Sequence, residues 1–396
     1  MKYNFDEVIE RKNTNSKKWN SCYYKETFNG NTDLLPLWVA DMDFKVSDGI
    51  QNRLKKLIEH GIYGYSGLGD EYYNAIIEWN KKRNNWNVDK DSIVYTAGVV
   101  PALNYIIQTF TKEGDKIIIQ TPVYHPFKNS ILNHKRVVIE NPLIKKGNNY
   151  YEINFEDFEN KIKNNDVKMF ILCSPHNPIG RVWKKDELQK LANICEKYNL
   201  LVMADEIHSD IIFKNHKHVP FATVASENLL KKTIISNAVS KTFNLAGLQV
   251  SNIIIPDKEL RDAYKNTLNL YNINTPNVFA IEAVKGAYLD SDDWYFEMLE
   301  YIERNADFAE QFLKEKLPKV VYRKPEGTYL GWIDFNTYNL SNDEMIKVFE
   351  NDIKVGIDYG QWFGEKGSGF IRINFACPRK ILEEALNRIY NYFKNR

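Results

Sequence analysis

The chain has 396 residues, 43% hydrophobic and 27% charged, the profile of a soluble globular protein too long for one ordinary core. Its 53 Lys+Arg balance 52 Asp+Glu for a net charge of +1, so there is no electrostatic footprint for nucleic acid or an anionic membrane surface. The first twenty residues mix charges without an apolar stretch, and no apolar run reaches the roughly 20 residues that span a bilayer. A cytoplasmic protein with no membrane partner is expected. Cys22, Cys173, Cys195 and Cys377 form no C-x-x-C pair and are expected as free thiols.

From residue 93 to 255, short β-rich runs alternate with helical patterns. The predicted strands are Ile93–Thr96, Lys116–Gln120, Arg136–Ile139, Lys168–Cys173, Leu200–Ala204, Thr233–Ser236 and Val250–Ile255. Most are apolar without strict alternation, which fits strands buried on both faces of a mainly parallel sheet. Amphipathic stretches such as Pro101–Thr111 and Asp186–Tyr198 lie between them, giving an α/β doubly wound pattern. Asp293–Leu317 predicts a long helix stopped by Pro318. The strand-like runs "GTYLGWIDF" (327–335) and "GFIRINFA" (369–376) flank a helical pattern at Asn342–Asn351, predicting a smaller α+β unit. The irregular segment before residue 48 is expected to return and pack on it. The expected partition is a large domain at 48–285 and a small one made of 1–47 and 286–396.

Ligands of open α/β sheets bind beyond the carboxyl ends of the strands, so the residues that follow each strand carry the chemistry. "SPHNPIG" puts Asn177 in a Pro-bounded loop after Lys168–Cys173. "DEIHSD" puts Asp205 and His208 after Leu200–Ala204, and "NAVSKTFN" puts Ser240 and Lys241 after Thr233–Ser236. "AGVVPAL" turns at Gly98 into a helix with Pro101 in its first turn. Free amides of Gly98, Val99 and Val100 at a helix start suit a phosphate. Asp205 can hold a ring nitrogen protonated, Lys241 can form a Schiff base, and Asn177 can donate to a phenolate. Phosphate, pyridinium, aldehyde and phenolate together describe pyridoxal 5′-phosphate (PLP).

Taken singly, each residue has a plainer reading. Lys241 is a surface lysine, Asp205 a helix cap, Asn177 a turn residue, Tyr124 a core aromatic and Arg372 a structural ion pair. His208 with Asp205, or "HKH" at 216–218, lacks a third metal ligand at a recognisable spacing, so no metal is expected. "GYSGLGD" (64–70) follows no predicted strand and is not a dinucleotide fingerprint.

The stretches "PLWVADMDF" (36–44), "YGYSG" (63–67), "TPVYHPF" (121–127), "SPHNPIGRVW" (174–183), "DEIHSD" (205–210), "SKTFNLAGLQ" (240–249) and "RINFACPR" (372–379) run in order along nearly the whole chain. Together they resemble the fold-type I PLP enzymes of the class I/II aminotransferase superfamily, and within it the MalY/PatB group of cystathionine β-lyases. The resemblance implies the aspartate aminotransferase fold, with a seven-stranded large domain. It implies that Lys241 carries the cofactor, Asp205 pairs with its ring nitrogen, Tyr124 stacks on the ring, and Asn177 and His208 lie at its 3′-oxygen. Gly98, Val99, Val100 and Ser240 would hold the phosphate, and Arg372, helped by Asn177, the substrate carboxylate. Tyr65 would reach the neighbouring subunit's phosphate, which implies a homodimer with shared sites. Two positions depart from the wider pattern. Ala238 stands where a phosphate-binding serine is common, and Gln249 where a basic residue is common.

The expected activity is α,β-elimination of cystathionine- or cysteine-type amino acids to pyruvate, ammonia and a thiol. The alternatives are an L-amino acid aminotransferase and a PLP-binding regulatory protein that contacts a transcription activator. Fold alone does not separate them.

Overall fold

The computed structural model describes residues 2–396. The apolar runs between 93 and 255 form one seven-stranded sheet. Its order is Ile93–Thr96, Ser251–Ile254, Thr233–Asn237, Leu201–Asp205, Val167–Cys173, Lys116–Ile119 and Val137–Glu140. Ser251–Ile254 runs antiparallel to both neighbours, and every other pairing is parallel.

Alternate residues of the central strands divide between two cores. Ile117, Ile119, Met169, Ile171 and Met203 enter one core. Ile118, Phe170, Leu172, Val202 and Ala204 enter the other. Both faces are therefore dry, and each buried Ile or Leu contributes about 2–3 kcal/mol of apolar transfer energy. That two-sided burial is why these strands are continuously apolar instead of alternating.

Helix Val99–Phe110 covers one face through Val99, Ala102, Leu103, Ile106 and Ile107, one stripe at helical spacing. Helix Lys185–Lys197 covers the other through Leu188, Leu191, Ala192 and Cys195. The 25-residue helix Asp292–Lys316 buries Trp294, Met298, Ile302, Ala306 and Ala309 and ends just before Pro318.

A second, antiparallel sheet has the order Val321–Tyr322, Leu330–Asp334, Phe370–Asn374 and Asp358–Tyr359. In it Arg372 lies directly opposite Asp358 on one side and Trp332 on the other. Leu35–Pro36 pairs in parallel with Val355–Gly356, which ties the N-terminal segment to the C-terminal part of the chain. The helical pattern at 342–351 is in fact an α-helix at Asn342–Lys347 that widens into a π-turn at Val348–Ile353. The wider turn carries Glu350 inward, where it accepts from Tyr359 Oη (3.1 Å) and Asn31 Nδ2 (3.0 Å). Among the described residues no helix is long and apolar enough to cross a membrane.

Candidate active site

Strands 93–96, 167–173, 201–205 and 233–237 all point the same way, because two antiparallel steps through Ser251–Ile254 restore the direction. Their carboxyl ends therefore share one edge. A cavity of about 260 Å³ opens there, lined by Gly98, Val99, Val100, Tyr124, Asn177, Asp205, His208, Ser240 and Lys241. Nine of the eleven expected site residues thus meet on one surface. Strand 251–254 begins at that same edge, which brings Gln249 and Val250 into the lining.

At one end of the cavity, Gly98 precedes the helix with φ +116°, a left-handed conformation that an L side chain rarely adopts. Space is not the constraint, since a Cβ there would meet Pro101 Cδ at an ordinary 3.5 Å. The turn leaves the first helical amides without a side-chain cap. The Gly98 amide, expected to be free, instead donates to the Thr96 carbonyl at 2.7 Å, and Pro101 has no N–H, so the amides of Val99 and Val100 are the ones free to bind an anion.

Asp205 closes its strand in register with Cys173 and Ser236 and is 5% exposed. Its Oδ1 accepts from Ile207 N (3.1 Å) and Ser236 Oγ (3.3 Å). Burial raises its pKa to about 6 against those hydrogen bonds, and among the described residues it has no ion-pair partner. A buried carboxylate with no bound cation is the receptor that a protonated ring nitrogen requires.

Lys241 sits in a one-turn helix, Val239–Thr242, and is half-buried, its open side being the cavity. Its Nζ donates to the Ala40 carbonyl at 2.7 Å. Burial, then the nearby Arg372 charge, lowers its pKa from 10.5 to about 8, with Asp41 and Asp205 opposing. The amine is thus partly neutral, and nucleophilic, near physiological pH.

Tyr124 caps the helix His125–Asn133, its amide donating to the Asn177 carbonyl at 3.1 Å. Burial pushes its hydroxyl up to about 12, so the ring stays neutral. His208 is 3% exposed, held far below its ordinary pKa by burial, and its Nδ1 has no hydrogen-bond partner. The residue itself lines the cavity.

Arg372 lies just beyond the lining and reaches it through Asn177, donating from Nη1 to Asn177 Oδ1 at 2.9 Å. Its Nη2 donates to Asp358 and to the Trp38 carbonyl (3.3 Å), and Nε is unpartnered. Tyr65 does not line this chain's cavity and is fully exposed.

Three contributors escaped the sequence reading. The segment 38–44 passes close to Lys241 and is held there by two side-chain amides, those of buried Asn374 and half-buried Asn244. Asn374 Nδ2 donates to the Val39 (2.7 Å) and Asp41 (2.6 Å) carbonyls, and Asn244 Nδ2 to those of Met42 (2.9 Å) and Phe44 (3.1 Å). Tyr329 Oη joins Lys241 on the Ala40 carbonyl at 2.9 Å. Behind the segment, fully buried Lys18 donates to Asp43 Oδ2 (2.6 Å), whose Oδ1 also takes Arg11 (2.5 Å) and Trp19 Nε1 (2.7 Å). Asp358 is the third. The conspicuous "WVADMDF" and the lysine-tryptophan pair at 18–19 were the available signals.

An open α/β sheet with a lysine, a buried aspartate and a bare helix start on its carboxyl edge defines a fold-type I PLP-binding architecture. The chain belongs to the class I and II aminotransferase family, whose profile matches residues 39–389. It is 41% identical to cystathionine β-lyase PatB of Bacillus subtilis, over 98% of each chain. The fold superposes on cystalysin of Treponema denticola, whose crystal structure contains pyridoxal 5′-phosphate, with TM-score 0.95 and 37% identity over 100% of both chains. It is equally close (TM-score 0.95, 46% identity, 98% of this chain and 99% of that one) to a PLP-bound Clostridium difficile 630 protein that carries an aminotransferase name.

Proposed function

We propose that this chain is a PLP-dependent carbon–sulfur β-lyase that eliminates a thiol from cystathionine- or cysteine-type amino acids, leaving pyruvate and ammonia. The observation that carries the reading is the convergence of Lys241 Nζ, the unpaired Asp205 carboxylate and the free Val99 and Val100 amides on one cavity. When bound, PLP supplies a ring that accepts the electron pair left as the substrate Cα–H bond breaks.

The chain's own residues divide the remaining work. Arg372 and Asn177 hold the substrate α-carboxylate in a charge-assisted pair. That hold would fix the orientation of the substrate Cα. Lys241, with its lowered pKa, takes the Cα proton as general base and returns a proton to the departing sulfur. Asp205, as a buried carboxylate, would hold a protonated ring nitrogen. Tyr124 would lie against the cofactor ring, and Ser240 with the Val99 and Val100 amides would hold its phosphate without a lining arginine. His208, held neutral by burial, would offer a ring nitrogen to the cofactor's 3′-oxygen.

The protein is further proposed to act in the cytoplasm as a homodimer, with Tyr65 completing the other subunit's phosphate site. The fully exposed Tyr65 and its exposed neighbours Ile58, Ile62 and Tyr63 support this, and the unpaired cysteines suit a reducing compartment. Residues 48–285 are proposed as the cofactor domain, with 1–47 and 286–396 as the smaller one. The pairing of Leu35–Pro36 with Val355–Gly356 favours that grouping.

Aminotransfer is the second reading, favoured by the name of the Clostridium difficile relative. A paired assay on the PLP-loaded protein separates the two. One tube holds L-cystathionine and no 2-oxo acid, and pyruvate and free thiol are followed. The other holds L-amino acids and 2-oxoglutarate, and glutamate is followed. Pyruvate and thiol in equal amounts are expected in the first. Glutamate alone, from the second, would overturn the lyase reading.

A further inference from the structure

The guanidinium of Arg372 is already occupied. It is 4% exposed, with Nη1 on Asn177 Oδ1 (2.9 Å) and Nη2 on Asp358 Oδ2 and the Trp38 carbonyl (3.3 Å), and it stacks 4.9 Å from the Phe363 ring. A carboxylate that binds an arginine bidentately needs two adjacent N–H groups, so every available edge includes Nη1 or Nη2. A substrate carboxylate must therefore share or displace a present partner. Asp358, 4% exposed, makes its ion pair with Arg372 alone among the described residues. Two carboxylates on one buried guanidinium leave a net negative charge away from water, a state in which one of them takes a proton.

We propose that Asp358 is the proton-accepting partner of the carboxylate clamp: the substrate carboxylate takes Arg372 Nη2, and Asp358 is protonated from solvent as it does so. No covalent bond changes; one proton moves from water to a carboxyl oxygen. This rests on the reading of Arg372 as the substrate clamp.

Asp358 is the group around the clamp that is suited to this task. Burial already raises its pKa to about 6, opposed by Arg372. The tyrosines and histidines within reach of the clamp stay in one state near neutral pH, and the remaining charged groups are engaged elsewhere. Tyr124, pushed up to about 12, and the buried Tyr329 remain protonated. His125, lowered to about 4, and the buried His208 remain neutral. Lys241 is engaged by the cofactor in the loaded enzyme, while Asp41 is ion-paired with Arg11 at 2.8 Å. On the same strand, Tyr359 Oη points to Glu350 at 3.1 Å. Asp205, which also acts on Tyr124, answers to the cofactor ring.

The sign follows. Below about pH 6 Asp358 is protonated before and after binding, and no proton moves. Above it, binding requires proton uptake, and substrate affinity weakens by up to about tenfold per pH unit. Titration of the substrate amine affects wild type and variant alike, so the ratio of their KM values isolates Asp358. Asp358→Asn keeps an oxygen acceptor for Nη2 and removes the charge. The expected result is a lower KM in D358N with kcat little changed. The wild-type to D358N ratio of KM should rise about tenfold or more between pH 6.5 and 8. Independently of any variant, the loaded wild-type enzyme is titrated with 3-(methylthio)propionate, a substrate-like carboxylate without an amine. Calorimetry at pH 7.5 in buffers of differing ionisation heat should show uptake approaching about one proton per site. A KM ratio flat with pH, or no proton uptake by wild type, overturns the proposal. Arg372→Ala runs beside them: if it leaves KM and propionate binding unchanged, the clamp reading itself fails.

Discussion

Lys18 offers a sharp test of how the active-site wall is held. It is fully buried, its Nζ 2.6 Å from Asp43 Oδ2 and 3.4 Å from the Asp41 carbonyl. Lys18→Met keeps most of the side-chain volume and removes the charge. Asp43 then keeps Arg11 at 2.5 Å and Trp19 at 2.7 Å, so the loss sits at the lower end of the range for breaking a buried pair, about 3 kcal/mol. The chain has 396 residues, and unfolding entropy is about 2.1 cal/mol/K per residue. The melting midpoint should fall by about 4 °C if the whole chain unfolds together, and by more if a smaller unit does. The assay is a thermal melt of the cofactor-free protein at fixed scan rate, run with K18M, D43N and the double variant. The double variant should lose less than the sum of the singles by at least about 1 kcal/mol, because each single leaves the other charge stranded. A K18M midpoint within about 1 °C of wild type would refute the reasoning. It would mean that water or a shifted Asp41 replaces Lys18 without cost.

Cofactor loading of the apoprotein should accelerate with pH around a midpoint near 8, because the neutral amine of Lys241 is the reactive form and its pKa lies at about 8. Stopped-flow absorbance reads this directly, and a midpoint near the ordinary lysine value of 10.5 contradicts the burial argument. Asp205→Asn keeps acceptors for Ser236 and Ile207 but loses the charge facing the ring; kcat/KM should drop by roughly 10² to 10³, with the melt of the apoprotein unchanged or raised. An Asp205→Asn enzyme within tenfold of wild type would remove Asp205 from the mechanism. Mixing inactive Lys241→Ala with a Tyr65→Ala variant, each purified alone, should restore about a quarter of wild-type activity if subunits exchange and share sites. No recovery on mixing, in a preparation shown to exchange, speaks against Tyr65 acting across subunits.

Much of this site was legible because strand order and burial do the same work in sequence and in space. Runs buried on both faces read as uninterrupted apolar segments, so the seven strands were visible to within a residue or two at each end. Once the strands are known, their carboxyl ends are known, and Asn177, Asp205 and Lys241 follow as the residues just beyond them. The strand boundary itself was misjudged at Asp205 and Asn237, which pair as full strand members although their side chains are polar. What stayed hidden depends on register or on backbone. Asp358 and Arg372 are fourteen positions apart and meet only because two short strands pair at that offset. The Ala40 carbonyl that receives Lys241 has no side chain to announce it. A short basic pair such as Lys17-Lys18 is most simply solvated surface by sequence, and only the fold shows that the Lys18 ammonium is sealed against Asp43 while Lys17 is not buried. These hidden groups share a property: each orients a residue that the sequence does reveal. A reacting group must be of one chemical type at the end of a specific strand, which leaves a trace in the chain order. A supporting group needs only to present an oxygen or a charge at the right distance, and many residue types at many positions can do that.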